Sequence, residues 1–295
     1  MKEEGSVREG RKNGGMGRRR FMRVSAGAAG AGIFGGMTPW VQAGDFSGKI
    51  KKAVKFHMVD DSMSVMDRFR LIKDLGFDGT EVRVGDDIDA KAIVKAVNVV
   101  GLPVHGVVNS ANPDIKNAID LAKLYGGSSV LVVCRYDKSL SMDDNWSRDV
   151  ENIRAAAPYA ETHGIDILVE NVWASYLISA WDVQRFVDAC ESPVVGAYFD
   201  VGNNVRWGVA HHWIPVLGDR IVKLDIKEYD TDKQVKEGLR AGFDTKIGEG
   251  SVNWEAVRGE LAGIGFEGWA TAEVTGGGRE RLQDIADRMD RVLAL

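Results

Sequence analysis

From Ala53 to Leu295, short apolar runs alternate with longer stretches whose apolar positions recur every three or four residues. The first pattern fits strands buried on both faces and the second fits amphipathic helices. Strands are expected at 53–59, 80–84, 102–108, 129–134, 166–170, 194–200, 220–227 and 268–274. Helices are expected at 65–75, 89–100, 113–125, 146–163, 181–190, 211–217, 254–264 and 280–293. Asp89 and Pro113-Asp114 suit helix starts, and Gly126-Gly127 suits a helix end. A long polar excursion, 228–252, reads as a loop.

Eight strand–helix alternations in about 250 residues predict an α/β protein, a (β/α)8 TIM barrel. A doubly wound open sheet is the rival; it would not usually need eight repeats, and it lacks a usable nucleotide fingerprint. No linker rich in Pro, Gly or Ser interrupts the chain after Lys52, so 44–295 is read as one domain.

Four of the apolar runs stop on an acid: Val169 leads to Glu170, Phe199 to Asp200, Leu224 to Asp225 and Ala272 to Glu273. In a barrel these positions fall at the C-terminal rim, where active sites of this fold lie. Four neighbouring carboxylates repel one another unless a cation neutralises them. Oxygen-only ligands favour a hard divalent ion, Mn²⁺ or Mg²⁺, over Zn²⁺. Any one of these acids alone would read as a solvated loop residue or a helix cap; the repeat is what points to a metal site. His57, Glu81 and His105 fall on the first three strands and are candidate substrate contacts, although a strand histidine is more often a packed residue. Trp173, Tyr176 and Trp207 follow the acid-bearing strands and are candidates for an apolar wall. Lys246 and Arg279 lie in rim loops, where either would bind an anion or be solvated.

Charge is uneven. Residues 1–43 carry a formal +5 and residues 44–295 carry −10. An acidic body lacks the basic footprint that phosphate-backbone binding needs, so nucleic acid is not expected as a partner. Cys134 and Cys190 show no metal-type spacing and read as two buried free thiols.

The basic end has its own logic. Gly17-Arg18-Arg19-Arg20-Phe21-Met22-Arg23 resembles the twin-arginine export motif, an uncharged segment rich in Ala and Gly follows to Met37, and Val41-Gln42-Ala43 suits a cleavage site. Residues 1–43 are therefore expected to be an export signal, with a periplasmic destination and a mature chain starting near Gly44. A basic tail or short anchor is the plainer alternative, but the apolar segment is short and glycine-rich for a span. Gly30 to Gly35 matches the spacing GxGxxG, yet no strand precedes it and no helix opens within it, so it is discarded.

Leu75-Gly76-Phe77-Asp78-Gly79-Thr80-Glu81, Val169-Glu170-Asn171, Phe199-Asp200-Val201-Gly202-Asn203, Lys223 to Glu228 and Ile247-Gly248-Glu249-Gly250, taken in order, resemble the xylose-isomerase-like TIM barrels, the sugar phosphate isomerase/epimerase superfamily. The resemblance covers roughly 53–295. It implies a divalent metal held by Glu170, Asp200, Glu273 and a seventh-strand histidine, a place that Asp225 takes here; either the site is all-carboxylate, or Asp225 binds through water, or the metal is weakly held. It also implies that Glu170 and Glu273 transfer protons, and that Asn203 stands where several relatives carry a histidine as a candidate substrate contact; Lys227 is read either as stabilising a developing oxyanion or, if paired with Glu228 or Glu81, as structural only.

The expected function is a metal-dependent sugar isomerase or epimerase that removes a proton next to a carbonyl. Sugar phosphates are scarce outside the cytoplasm, so the expected partner is a small non-phosphorylated carbohydrate, with no membrane contact once the signal is removed; a homo-oligomer is left open. A 3-keto-glycoside lyase or hydratase using the same carbanion is the alternative, and a non-catalytic carbohydrate-binding barrel is the third reading.

Overall fold

The computed structural model describes residues 46–110 and 113–295. Eight parallel strands close into a barrel in sequence order, the eighth pairing with the first. They are β1 (Ile50–Lys55), β2 (Gly79–Arg83), β3 (Val104–Asn109), β4 (Ser129–Val132), β5 (Asp166–Glu170), β6 (Val195–Asp200), β7 (Ile221–Ile226) and β8 (Gly268–Ala272). The helices are α1 (Val65–Asp74), α2 (Ala90–Val100), α3 (Ile115–Tyr125), α4 (Met142–His163), α5 (Ala180–Ala189), α6 (Trp213–Leu217), α7 (Thr231–Glu237), α8 (Trp254–Gly263) and α9 (Arg279–Leu293). The expected (β/α)8 architecture is therefore present. Among the described residues no helix is long and apolar enough to cross a membrane.

Local chemistry sets the helix ends. Ser64, Asp89, Asp114, Ser141 and Ser179 each accept a backbone N–H from the first turn of the helix that follows. Such a cap satisfies donors that the helix itself leaves free. Gly101, Gly126 and Gly164 close α2, α3 and α4 in the left-handed conformation that glycine adopts without strain.

The main apolar core lies between the strand ring and the surrounding helices and unites residues from every strand. A smaller cluster of Val108, Leu131, Leu168 and Tyr198 forms separately from it. Strands β3, β4 and β6 are buried along their whole length, as strands covered on both faces must be.

Three expected elements differ. The first strand starts at Ile50, and Phe56–Met58 forms a 3₁₀ turn, so the strand ends on Lys55 and His57 lies beyond it. The fourth helix starts at Met142, capped by Ser141, because the cap outweighs the polar composition of its first turn. The excursion 228–252 is not a plain loop: it contains α7 and a 3₁₀ turn at Ala241–Phe243. The expected signal, residues 1–43, lies outside the described residues.

Candidate metal centre at the C-terminal rim

Glu170 ends β5 and Asp200 ends β6, while Asp225 sits one residue before the end of β7 and Glu273 one residue after β8. Register brings them together: Asp200 and Asp225 are direct cross-strand partners, and the Glu273 amide bonds to the Ile226 carbonyl at 3.1 Å. One carboxylate oxygen from each of the four acids lies within 4.8 Å of the others. Two like charges that far apart repel by about 3.5 kcal/mol at an effective dielectric of 20. All four cannot stay ionised without cations among them.

Two lysines supply part of that charge. Lys55 Nζ is fully buried and lies 2.8 Å from Asp225 Oδ2 and 3.1 Å from Glu273 Oε1. Lys227 Nζ lies 2.9 Å from Asp200 Oδ2 and 2.6 Å from Glu273 Oε2, and it donates to Asn203 Oδ1 at 3.0 Å. Four carboxylates against two ammonium groups leave a formal charge of −2, which one divalent ion cancels. Asp225 Oδ1 is buried and receives no hydrogen bond, so it is an acceptor without a donor in a cluster of hard oxygen ligands. The residues present thus fit a divalent ion, which Glu170, Asp200, Asp225 and Glu273 would hold.

Electrostatics split the acids. Burial, then the charge of Glu273, pushes the Glu170 carboxyl up to about 8. Burial also raises Asp200, and Asp225 further still. Burial would raise Glu273 as well, but Lys55 and Lys227 outweigh it and hold this carboxyl well below the usual range. For Lys227 the acids win over burial and raise its pKa.

Backbone contacts fix the positions. Asn171 clamps β5 to β6: its Nδ2 donates to the Asp200 carbonyl at 2.9 Å and its Oδ1 accepts the Asp200 N–H at 2.8 Å. The amides of Gly202 and Asn203 both donate to Asp200 Oδ1 at 2.8 Å. Asn203 Nδ2 reaches Glu170 Oε1 at 3.2 Å and the Asn171 carbonyl at 2.9 Å. Glu228 is occupied elsewhere, accepting from the Gly248 amide in the loop ahead of α8 and from the indole of Trp254, the first residue of α8. Lys227 therefore belongs to the acid cluster, and Glu228 secures the loop.

A cavity of about 480 Å³ opens over these groups. Glu170, Trp173, Asn203, Lys227, Phe243 and Glu273 line it. Trp173 packs on Tyr229 and Phe243, donates its indole N–H to the Asn203 carbonyl, and has the Arg206 guanidinium over its ring. Phe243 comes from the segment expected to be a loop. A larger cavity, about 680 Å³, lies beyond the ends of β3 and β4 and shares Ser110, Val133 and Arg135 with the first. It contains none of the four acids.

Several candidate contacts lie apart from the cavity. His105 and Glu81 are buried within a network that also includes Lys223, Tyr198 and Thr271. His105 stacks on Trp269 with ring centroids 4.1 Å apart, and burial followed by the charges of Lys223 and Lys55 lowers its pKa. His57 lines a separate depression that adjoins the cavity through Val274 and Thr275. Burial, then Arg83 and Lys55, lowers His57 to about 4, so it is neutral at physiological pH. Tyr176 is buried against Asn145 and Asp149, and Trp207 is exposed; neither lines the cavity. Lys246 and Arg279 approach Asp284 and Asp74 at the surface. Cys134 and Cys190 are buried free thiols.

Lys55 is the group the sequence pattern does not single out. It sits in Ile50-Lys51-Lys52-Ala53-Val54-Lys55, where three lysines suggest exposure, and nothing local marks the third as buried.

Residues 69–293 match the sequence profile of the xylose isomerase-like TIM barrels. The chain belongs to that family. Within reach of this family member is a curated inosose dehydratase from Geobacillus thermodenitrificans, 21% identical over 231 residues, which are 67% of this chain and 78% of the relative. Among solved structures it resembles the 3-keto-D-glucoside 4-epimerase from E. coli, with a TM-score of 0.65 and 16% identity over 84% of this chain and all of the other. It also resembles a D-allulose 3-epimerase from Methylomonas sp., with a TM-score of 0.66 and 17% identity over 83% of this chain and 98% of the other. A third structure, described as IOLI protein with a binding zinc atom, gives a TM-score of 0.67 at 16% identity over 83% of this chain and 98% of the other. At these identities the structural likeness of the barrel is one of fold.

Proposed function

We propose that this barrel is a metal-dependent isomerase or epimerase acting on a non-phosphorylated sugar or sugar derivative, with Mn²⁺ or Mg²⁺ as its ion. The observation that carries the reading is the convergence of four strand-end acids within 4.8 Å beneath a 480 Å³ cavity with an aromatic wall. The epimerases it resembles in fold support the reaction class, and the zinc-bearing structure supports a bound divalent ion. A bound divalent ion supplies stabilisation of the negative charge that develops when a proton leaves the carbon beside a carbonyl.

The chain's own residues do the rest. Glu170 and Glu273 both line the cavity, and their environments differ sharply. A pair of carboxyls split in this way suits removal and return of a proton at neutral pH. Lys227, held between Asp200 and Glu273, presents positive charge to a developing oxyanion. Trp173 and Phe243 offer apolar faces to a sugar ring.

The inosose dehydratase relative favours one second reading, a lyase that forms the same carbanion and then expels the neighbouring oxygen. Incubating residues 44–295 with Mn²⁺ and ketoses, aldoses or 3-keto-glycosides in D₂O separates the two. An isomerase or epimerase incorporates deuterium beside the carbonyl with the skeleton intact, whereas a lyase releases the substituent. Glu170→Gln and Glu273→Gln are each expected to lower exchange by about 10²-fold or more; unchanged exchange in both would overturn the mechanism. Absence of bound metal and of exchange with every substrate would instead favour a carbohydrate-binding barrel.

The same proposal includes export through the twin-arginine route, supported by the pattern Arg18-Arg19-Arg20-Phe21 and the small residues before Gly44. Protein recovered from the periplasm should begin near Gly44, and replacing Arg18, Arg19 and Arg20 by Lys should retain it in the cytoplasm. Unchanged delivery would exclude this route.

A further inference from the structure

We propose that Lys55 and Asp225 act as one net-neutral unit at the metal centre, with Lys55 as the charge partner that offsets the aspartate there. This rests on the metal-centre reading above and adds a residue to it.

Lys55 ends β1, and Asp225 belongs to β7, two strands away around the ring through β8. Both side chains are fully buried. The ammonium lies 2.8 Å from Asp225 Oδ2 and 3.1 Å from Glu273 Oε1, so it bridges two of the four acids. Oδ1, the other oxygen of Asp225, receives no hydrogen bond. One oxygen is thus fixed by a cation that the chain itself provides, and the other is left as a buried acceptor within the cluster. A charged group bonded to a ligand tunes metal affinity without touching the metal.

Lys55 and Lys227 have different surroundings. Lys227 lines the cavity and also contacts Asn203, where an incoming ligand can reach it. Lys55 is absent from the cavity lining, and its ammonium stands 5.5 Å from the centre of the Tyr198 ring. Lys55 is closed to solvent, and its direct charge partners are two of the acids. The Lys55–Asp225 pair has no net charge, and the ion is left to balance Glu170, Asp200 and Glu273 against Lys227.

The pair predicts an order of affinities set by net charge. Asp225→Asn leaves Lys55 with Glu273 alone and removes one negative charge from the cluster. Lys55→Met adds one. The double variant Lys55→Met/Asp225→Asn restores the original charge and keeps an amide oxygen where Oδ1 stands. Mn²⁺ binding measured by calorimetry should be weaker by about tenfold or more in Asp225→Asn. It should return to within about threefold of the parent in the double variant, because the original charge is restored. Lys55→Met should show a larger rise in melting temperature on adding Mn²⁺ than the parent does. A double variant that binds as weakly as Asp225→Asn would overturn the proposal, because the acid alone would then matter. If Lys55→Met does not fold, the comparison of Asp225→Asn with the double variant decides alone. A parent that binds no divalent ion would overturn the metal-centre reading and this proposal with it; a parent that binds, with a double variant no tighter than Asp225→Asn, would overturn only the role of Lys55.

Discussion

Glu170 carries the sharpest consequence at the scale of single residues. Its carboxyl is pushed up to about 8 by burial and by Glu273. A proton held there competes with a cation for the same oxygens, so Mn²⁺ affinity should rise with pH up to about 8 and level off above it. Calorimetric titration across that interval checks this, and a flat profile would remove Glu170 from the ligand set. The stability consequence follows from linkage: the folded carboxyl binds its proton more tightly than the unfolded one, whose ordinary value is 4.5. Its contribution to the stability of the metal-free protein is full below 4.5 and is lost as pH rises to about 8. The four acids were legible in the sequence because each ends an apolar run, and in a parallel barrel that position has one meaning. Lys55 was not. Its burial depends on acids more than a hundred residues away, and a lysine beside two others carries no local mark of that. The depth of His105 was not legible for a related reason: periodicity gives the strand, but not how far along the barrel axis the side chain lies.

At the scale of elements, the junction of β6 with β7 sets the spacing of the site. A Cβ on Gly202 would lie 2.8 Å from the carbonyl carbon and oxygen of Lys227, nearer than real Cβ atoms approach backbone. Glycine lets the turn after β6 press against the end of β7, which brings Asp200 to Lys227. Gly202→Ala should therefore cost about 1–3 kcal/mol by overpacking and weaken Mn²⁺ binding, as read by denaturant unfolding and calorimetry. Metal binding unchanged in a destabilised variant would show that the turn does not set the ligand spacing. The strand–helix alternation was readable because strands buried on both faces are short and apolar while the helices keep a 3.6-residue period. The segment 228–252 was not: α7 has no buried residue, so no apolar stripe marks it. Phe243, its contribution to the cavity wall, therefore could not be placed from sequence.

At the scale of the whole molecule, the ring gives separate sequence segments a common direction. Eight parallel strands put all their C-terminal ends on one rim, so four acids spread from residue 170 to residue 273 meet within 4.8 Å. Closure does the same for the start of the chain, since β1 pairs with β8 from Ile50 to Val54 and delivers Lys55 beside Glu273. The amide of Phe46, just ahead of β1, bonds to the carbonyl of Ala294, just after α9, at 3.2 Å. The two ends of the barrel are thus one hydrogen bond apart, and the ring itself has no first strand. The order in which the strands are strung is therefore separable from the order in which they stand. A circular permutant that joins residue 295 to residue 46 through a short Gly-Ser link and reopens at the exposed turn of Gly164, on the face away from the acids, should melt cooperatively and bind Mn²⁺ as the parent does. One that folds but no longer binds the ion would mean that the metal centre depends on where the chain is cut as well as on the closed ring.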